Sequence, residues 1–507
     1  MIAKVLSFAM FGIEPYPIEI EVDVSRGLPG FALVGLADTA IKESKERVKA
    51  AIKNSGFSWP PDKITVSLTP ADIKKDGVYL DLAIALAILG ATKQINNDNL
   101  RSYFIMAGLS LDGTLQPIKG ALAVSMAAAK SPIKKILVPL ENAKEAAIVS
   151  ETAVWPMSSL KSAVQFLSQP QDYKPFTINA RTIFNENSSY QTDFSEVKGQ
   201  FLAKRAIEVA VSGGHNILFI GPPGSGKSML AKRIPTIMPD LNLEEALEIT
   251  KIHSSVCALA TKNGIIANRP FRWPHHTAST ASLVGGGSIP VPGEITLAHR
   301  GVLFLDELPE FRRDCLEALR QPLEDGSIRI SRANRSSVLP ASFILVCAMN
   351  PCPCGYYTDT KKTCRCNPNK IQHYMSKISG PLLDRIDIHI ELPSIKYNEL
   401  SQTADAENSQ TIKARVEKTR LIQNQRLEPE GIYTNSQMNP KLIKKYCQLE
   451  NKASQLLRLA MTELGLSARA YDKIMKVSKT IADISGSEII RAEHISEAVQ
   501  YRSLDKI

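Results

Sequence analysis

The chain has 507 residues, and its 61 Lys+Arg against 51 Asp+Glu leave a net charge of +10 and a pI near 9.0. Hydrophobic residues make up 44% and charged residues 22%, a globular balance that excludes a chain dominated by disorder. The longest apolar run, Leu82–Ala91, falls well short of the ~20 residues a spanning helix needs, so no membrane partner is expected. The length suggests roughly two to four domains, and the excess of cations is a weak pointer to a polyanionic partner. Met1–Val5 carries no charged-then-apolar leader pattern, and a cytoplasmic protein is expected. Eight cysteines in so long a chain are no disulfide scaffold.

In chain order, residues 1–170 mix strands and helices. Ile18–Val24 alternates apolar and acidic residues, the pattern of a half-buried strand, and Asp62–Leu68 reads as another. Ala40–Lys53 has charges at helix-surface spacing, while Asp81–Leu89, dominated by Ala and Leu, predicts a buried helix. Ile118–Lys130 predicts a second Ala-rich helix, followed by the strand Lys135–Pro139. Between Gln169 and Ser195 the chain is polar, rich in Asn, Ser and Pro, and without a sustained period, so 171–194 is expected to link two domains.

Residues 195–395 alternate strand and helix, which predicts a parallel α/β sheet. Gly221-Pro222-Pro223-Gly224-Ser225-Gly226-Lys227-Ser228 fits the phosphate-loop pattern G-x-x-x-x-G-K-[ST], entered by the apolar strand Asn216–Ile220 and left by a helix-forming run. The glycines let backbone N–H groups turn toward phosphate oxygens, and the helix aims its N-terminus at the anion. Lys227 is expected on the β/γ-phosphates of ATP and Ser228 on Mg²⁺. Val302–Leu305 is a strand buried on both faces, ending in Asp306 and Glu307 where ligands bind in open α/β sheets. Asp306 is expected to position Mg²⁺ and Glu307 to polarise the attacking water. Phe343–Met349 ends in Asn350, which would orient that water or touch the γ-phosphate, or else be a turn Asn before Pro351.

Between these parts lie segments a simple βαβ step does not need. Arg272–Thr277 and Gly285–Glu294 are rich in Gly and Pro and read as loop; the adjacent His275 and His276 are poorly placed to share one metal ion. Gly326–Val338 reads as a hairpin bearing Arg329, Arg332 and Arg335, suited to phosphate-backbone contacts or simply solvated. Cys352, Cys354, Cys364 and Cys366 form two C-x-C pairs, which suit a Zn²⁺ site or a regulatory dithiol. Cys257, Cys315, Cys347 and Cys447 are scattered and read as core or ordinary thiols. Residues 396–507 show no strong strand runs, and Ser454–Leu464 and Ala470–Ile484 predict amphipathic helices.

The order of phosphate loop, acidic strand and Asn-tipped strand resembles the AAA+ ATPases. Gly380–Asp387 resembles the segment carrying the arginine finger in magnesium-chelatase subunits and MCM helicases, which makes Arg385 the finger. Arg469, in Ser467–Tyr471, resembles the sensor-2 arginine of the helical lid. The hairpin resembles the pre-sensor hairpin of the MCM branch, with Arg332 directed to DNA. F-R-W-P-H-H-T, L-V-G-G-G-S-I-P-V-P-G-E-I, L-A-H-R-G-V-L-F-L-D-E-L-P-E-F, L-R-Q-P-L-E-D-G and N-P-C-P-C-G are similar to stretches of the Mg-chelatase-like ComM/YifB family, and the likeness covers nearly the whole chain.

That resemblance implies a Lon-protease-like (ribosomal S5 domain 2-like) α+β domain at 1–170, an AAA+ core at 195–395 with a Cys₄ zinc element at 352–366, and a helical lid at 396–507. It further implies a homo-hexameric ATPase that migrates branches in single-stranded and three-stranded DNA joints, cooperating with RecA in natural transformation. An AAA+ remodeller of a protein complex is the other reading. Tyr79 stands where the Lon nucleophile would be and Leu122 where its Lys would be, so peptidase activity is not expected. Chelatase activity is not expected either, since it needs partner subunits. Lys74, Lys75 and Lys119 read as added basic surface.

Overall fold

The computed structural model describes residues 2–35, 39–71, 75, 77–186, 188–256, 264–287, 290–332, 335–357, 359, 362–394 and 407–502. Cys257 and Lys74 lie outside the described residues. The first sheet is built from β1 (Ile2–Phe11), β2 (Glu14–Ser25), β3 (Gly30–Val34), β4 (Lys63–Thr69) and β5 (Phe104–Ile105). A small ladder, β6 (Gly108–Leu109) with β7 (Leu115–Gln116), precedes the last two strands, β8 (Lys135–Pro139) and β9 (Ala153–Met157). The order is β3-β4-β2-β1-β5-β8-β9, mixed antiparallel and parallel.

The helix Asp81–Ala91 is apolar all round beyond its first residue, and every residue in it is buried. Its Asp81 carboxylate accepts from Arg47 at 2.8 and 3.3 Å. Burial pushes Asp81 up to about 6 against the pull of Arg47. Lys75 corrects an expectation: it is fully buried, its ammonium donating to the carbonyls of Leu68 (3.2 Å) and Pro70, so it adds no basic surface. Lys119 is exposed. At the Lon-like positions, the Tyr79 hydroxyl accepts the Met10 N–H at 3.3 Å and Leu122 is fully buried.

The stretch read as a polar linker is docked rather than free. It contains the helix Ala180–Glu186, whose Ile183 and Phe184 pack with Leu122, Leu241 and Ile249. Four apolar residues in seven positions, Ile178, Ala180, Ile183 and Phe184, are enough to anchor it, although the stretch is too short to show a period.

The second sheet contains β10 (Ile217–Ile220), β11 (Phe271–Arg272), β14 (Val302–Leu305), β17 (Ile344–Met349) and β18 (Ile388–Glu391) in the order β11-β14-β17-β10-β18, with every pair parallel. The small pair β12 (Gly285–Gly286) and β13 (Val291–Pro292) and the hairpin β15 (Ser327–Arg332) and β16 (Arg335–Pro340) stand outside it. Period-2 alternation divides the sheet's residues between two cores. Ile217, Phe219, Val346 and Ala348 join Val416, Ile474, Val477 and Ile481 of the C-terminal helices. Leu218, Leu303, Leu345 and Cys347 face the other way, with Leu283, Leu316 and Ile328. The C-terminal part is all helix: Ser409–Leu427, Pro440–Tyr446, Asn451–Glu463, Ala468–Ile484 and Ala492–Gln500. The Gly285–Glu294 stretch is not loop throughout, because β12 and β13 pair antiparallel within it, and Ser279 caps a short helix, Thr280–Val284, just before it.

Candidate active site

The phosphate loop follows β10 at the carboxyl end of the sheet. Gly226, at φ +84°, turns the chain into the helix Lys227–Ile237. Gly221 has a steric reason to be Gly, since a Cβ there would lie 2.5 Å from the Leu392 carbonyl oxygen. The Lys227 ammonium is buried and donates to the carbonyls of Gly221 (2.7 Å) and Pro222 (3.0 Å) and to Asn350 Oδ1 (3.2 Å). Burial lowers its pKa, with Asp306 and Glu307 opposing. The Ser228 hydroxyl donates to Asp306 Oδ2 at 2.8 Å. Lysine, hydroxyl, carboxylate and Asn350, spread over more than a hundred residues of chain, therefore meet at one point.

Glu307 sits in the left-handed region at φ 55°, which turns its carboxylate off the strand line. That carboxylate lies 3.1 Å from His276 Nδ1. The rings of His275 and His276 are 4.1 Å apart, and His275 Nδ1 meets the Thr277 hydroxyl at 2.9 Å, so the two imidazoles serve different partners.

The four cysteine sulfurs at 352, 354, 364 and 366 lie within 4.8 Å of one another. Separations of 3.3, 3.7 and 3.6 Å among Cys352, Cys354 and Cys364 compare with about 3.8 Å for thiolates on a tetrahedral zinc. Backbone N–H groups of Arg365 and Tyr356 hold the Cys354 thiol down to about 6. The group could hold a zinc ion. It also touches the nucleotide loop, for a Cβ on Gly355 would come 2.6 Å from Pro223 Cδ. Cys315, Cys347 and Cys447 are buried, as core thiols should be.

Arg385 and Arg469 lie elsewhere. Both line a cavity of about 1270 Å³ that also takes in Asn216, Gly301 and Ile344, at the amino ends of β10, β14 and β17. The phosphate loop is at the carboxyl ends, a strand length of ~13 Å away. Arg385 is mostly buried, donating to the Pro381 carbonyl at 2.5 Å and pairing with Glu324. Arg469 is exposed and pairs with Asp384 at 2.9 Å. A lid arginine acting on its own chain's nucleotide would have to sit at the other edge.

Close by, buried Asp387 pairs with Lys473 and lies 3.2 Å from His215 Nδ1. Burial raises its pKa, but Lys473 and His215 outweigh that and hold it well below the usual carboxylate range. Of the hairpin arginines, Arg329 is exposed on β15. Arg332 and Arg335 face each other in backbone register at the turn, and their side chains lie outside the described residues.

Sequence reasoning missed the His276–Glu307 contact, the Asp387 junction and the packing of Gly355 on Pro223. Only the first had a signal, the H-H pair in F-R-W-P-H-H-T, and it was weighed as a metal site.

Three family models cover most of the chain: "Magnesium chelatase, subunit ChlI" over residues 193–400, "Subunit ChlI of Mg-chelatase" over 20–142, and "Magnesium chelatase, subunit ChlI C-terminal" over 406–502. Competence protein ComM of Haemophilus influenzae is 43% identical over 511 residues, covering 100% of this chain and 98% of the relative. This chain belongs to the ComM/YifB family. The protein YifB of Escherichia coli is 42% identical over 503 residues, covering 98% of this chain and 96% of its own. The 67 kDa magnesium-chelatase subunit of Chlorobaculum tepidum is 27% identical over 162 residues, covering 31% of this chain and 23% of that subunit. Membership of this Mg-chelatase-like AAA+ family carries ATPase activity, with ATP and Mg²⁺ as the implied ligands. No helix among the described residues is long and apolar enough to cross a membrane.

Proposed function

We propose that this chain is the subunit of an ATP-driven ring, hexameric as in the family resemblance, that migrates the branches of DNA joints in the cytoplasm. The observation that supports this best is the separation of the phosphate loop from Arg385 and Arg469 by the width of one sheet. Arginines on that edge reach phosphate only on a neighbouring copy, so ATP turns over between subunits. The Haemophilus relative's name, competence protein, favours DNA taken up from outside, and hence three-stranded joints and cooperation with RecA.

In the working site Lys227 exchanges the carbonyls of Gly221 and Pro222 for β/γ-phosphate oxygens, and the loop's N–H groups cradle them. Mg²⁺, when bound, neutralises charge between the β- and γ-phosphates. Ser228 and Asp306, already in contact, would hold it. Glu307 accepts the water's proton, and Asn350 orients that water or touches the γ-phosphate. The neighbour's Arg385 and Arg469 stabilise the developing charge. Cys352, Cys354, Cys364 and Cys366 would hold a structural zinc beside Asn350. Arg329, Arg332 and Arg335 contact the DNA backbone from β15 and β16.

The test is branch migration on a labelled three-stranded joint, with Lys227→Ala as control. ATP-dependent strand exchange absent from the control supports the reading. ATP hydrolysis that neither moves strands nor responds to DNA sinks it and favours a remodeller of proteins.

A further inference from the structure

The turn of the amino-terminal hairpin leaves its own sheet. β1 ends at Phe11 and β2 begins at Glu14, paired with each other, so the turn is Gly12-Ile13. Two-residue turns usually carry Gly, Asn or Asp and face water. Gly12 conforms, with φ +66°, but Ile13 does not. Ile13 is only 4% exposed, and it belongs to the cluster of Ile252, Leu283, Ile295, Ile328 and Leu339, all from the ATPase core.

The contact is close. A Cβ on Gly12 would lie 3.3 Å from the Pro290 carbonyl oxygen, 3.3 Å from Ser337 Oγ and 3.9 Å from Leu339 Cδ2. Beside it Glu14 accepts from Lys251 at 2.6 Å, tying the turn to the helix Leu243–Val256. That helix is held a second time, because Gly120 N–H donates to the Ser254 carbonyl at 3.0 Å and Glu145 accepts the Ser254 hydroxyl.

Ser337 and Leu339 are on β16, and Ile328 and Ile330 on β15. Among the described residues this hairpin joins no other sheet. An isolated two-stranded ribbon is marginal by itself, so its direction is set by what its apolar base packs on. Part of that base is the first domain's turn.

We propose that Ile13 is a positioning residue, and that the Gly12-Ile13 turn is a strut by which the amino-terminal domain fixes the arginine hairpin. The strut gives this domain a role without chemistry of its own: it makes DNA contact at the hairpin register in the ATPase core. The functional half of this inference rests on the DNA reading of Arg329, Arg332 and Arg335.

The experiment uses the full chain and a single-stranded oligonucleotide. ATPase rate and KM for ATP are measured with and without DNA for Ile13→Ala, the conservative Ile13→Val, and Arg329→Ala. Hydrogen exchange over 327–332 and 337–340 is followed in parallel. Ile13→Ala is expected to keep its DNA-free rate and KM, to lose stimulation by DNA roughly five- to tenfold, and to exchange faster in the hairpin, but not in Lys227–Ile237. Ile13→Val should restore most of the stimulation. If Arg329→Ala loses stimulation while Ile13→Ala keeps it, the strut is overturned. If Arg329→Ala keeps full stimulation, the DNA reading of the hairpin fails, and hydrogen exchange decides the strut: unchanged hairpin exchange in Ile13→Ala overturns it too.

Discussion

The two edges of the core sheet are built from the same kinds of residue and arranged in opposite ways. At the carboxyl edge the polar groups turn toward one another: Lys227 on Asn350, Ser228 on Asp306, Glu307 on His276. At the amino edge each arginine is paired with an acid from its own neighbourhood, Arg385 with Glu324 and Arg469 with Asp384. Arg385 and Arg469 are thus held by acids of the same chain. On the proposed reading, a site divided between these edges would be completed where copies of the chain meet.

Breaking the amino edge should have the largest effect. Arg385→Ala is expected to keep ATP binding and lose hydrolysis by about 10³-fold or more, measured as steady-state turnover beside equilibrium binding. Parental turnover in that variant would end the shared-site reading. Mixing Arg385→Ala with Lys227→Ala sharpens the comparison, because a site with both edges intact re-forms at some interfaces and part of the activity should return.

At the carboxyl edge, Glu307→Gln should lower turnover by about 10²–10⁴-fold with ATP still bound, the range for loss of a proton acceptor. Lys473→Met leaves Asp387 buried without its main cation and should cost about 3–5 kcal/mol in thermal or urea unfolding. Because the folded pKa of Asp387 is depressed, its contribution is complete above the unfolded value of about 4 and is lost as pH falls further. A pH–stability profile of Lys473→Met should therefore converge on the parent in acid. If the cysteines hold zinc as proposed, stripping it with a zinc-selective chelator in excess Mg²⁺ should have the smallest effect, raising KM for ATP by roughly tenfold through the Gly355–Pro223 contact. An unchanged KM after zinc release would separate the cysteine group from the nucleotide loop.

Much of the carboxyl edge was legible because its parts are contiguous. A glycine-rich loop between strand and helix, or a strand tipped by Asp306 and Glu307, carries its meaning within eight residues. The cysteine spacing and the hairpin were readable for the same reason. Lys75 was misread because exposure depends on what surrounds a residue. The lysine is drawn inward by two carbonyls its own loop turns toward it. His276 was singled out, but its partner lies thirty-one positions further on, beyond the reach of any local pattern.

The sequence by itself determined the alternation of strand and helix in the ATPase core, the phosphate-loop pattern, and the presence of Tyr79 and Leu122 in the first domain. Each depends on residue type and short spacing, which periodicity and backbone preference express directly. Only the tertiary structure decided that Arg385 and Arg469 stand across the sheet from Lys227, that His276 meets Glu307, and that Ile13 packs into another domain. Those facts follow from how apolar faces far apart in the chain find each other. Such burial is non-directional, and no local pattern records which face meets which.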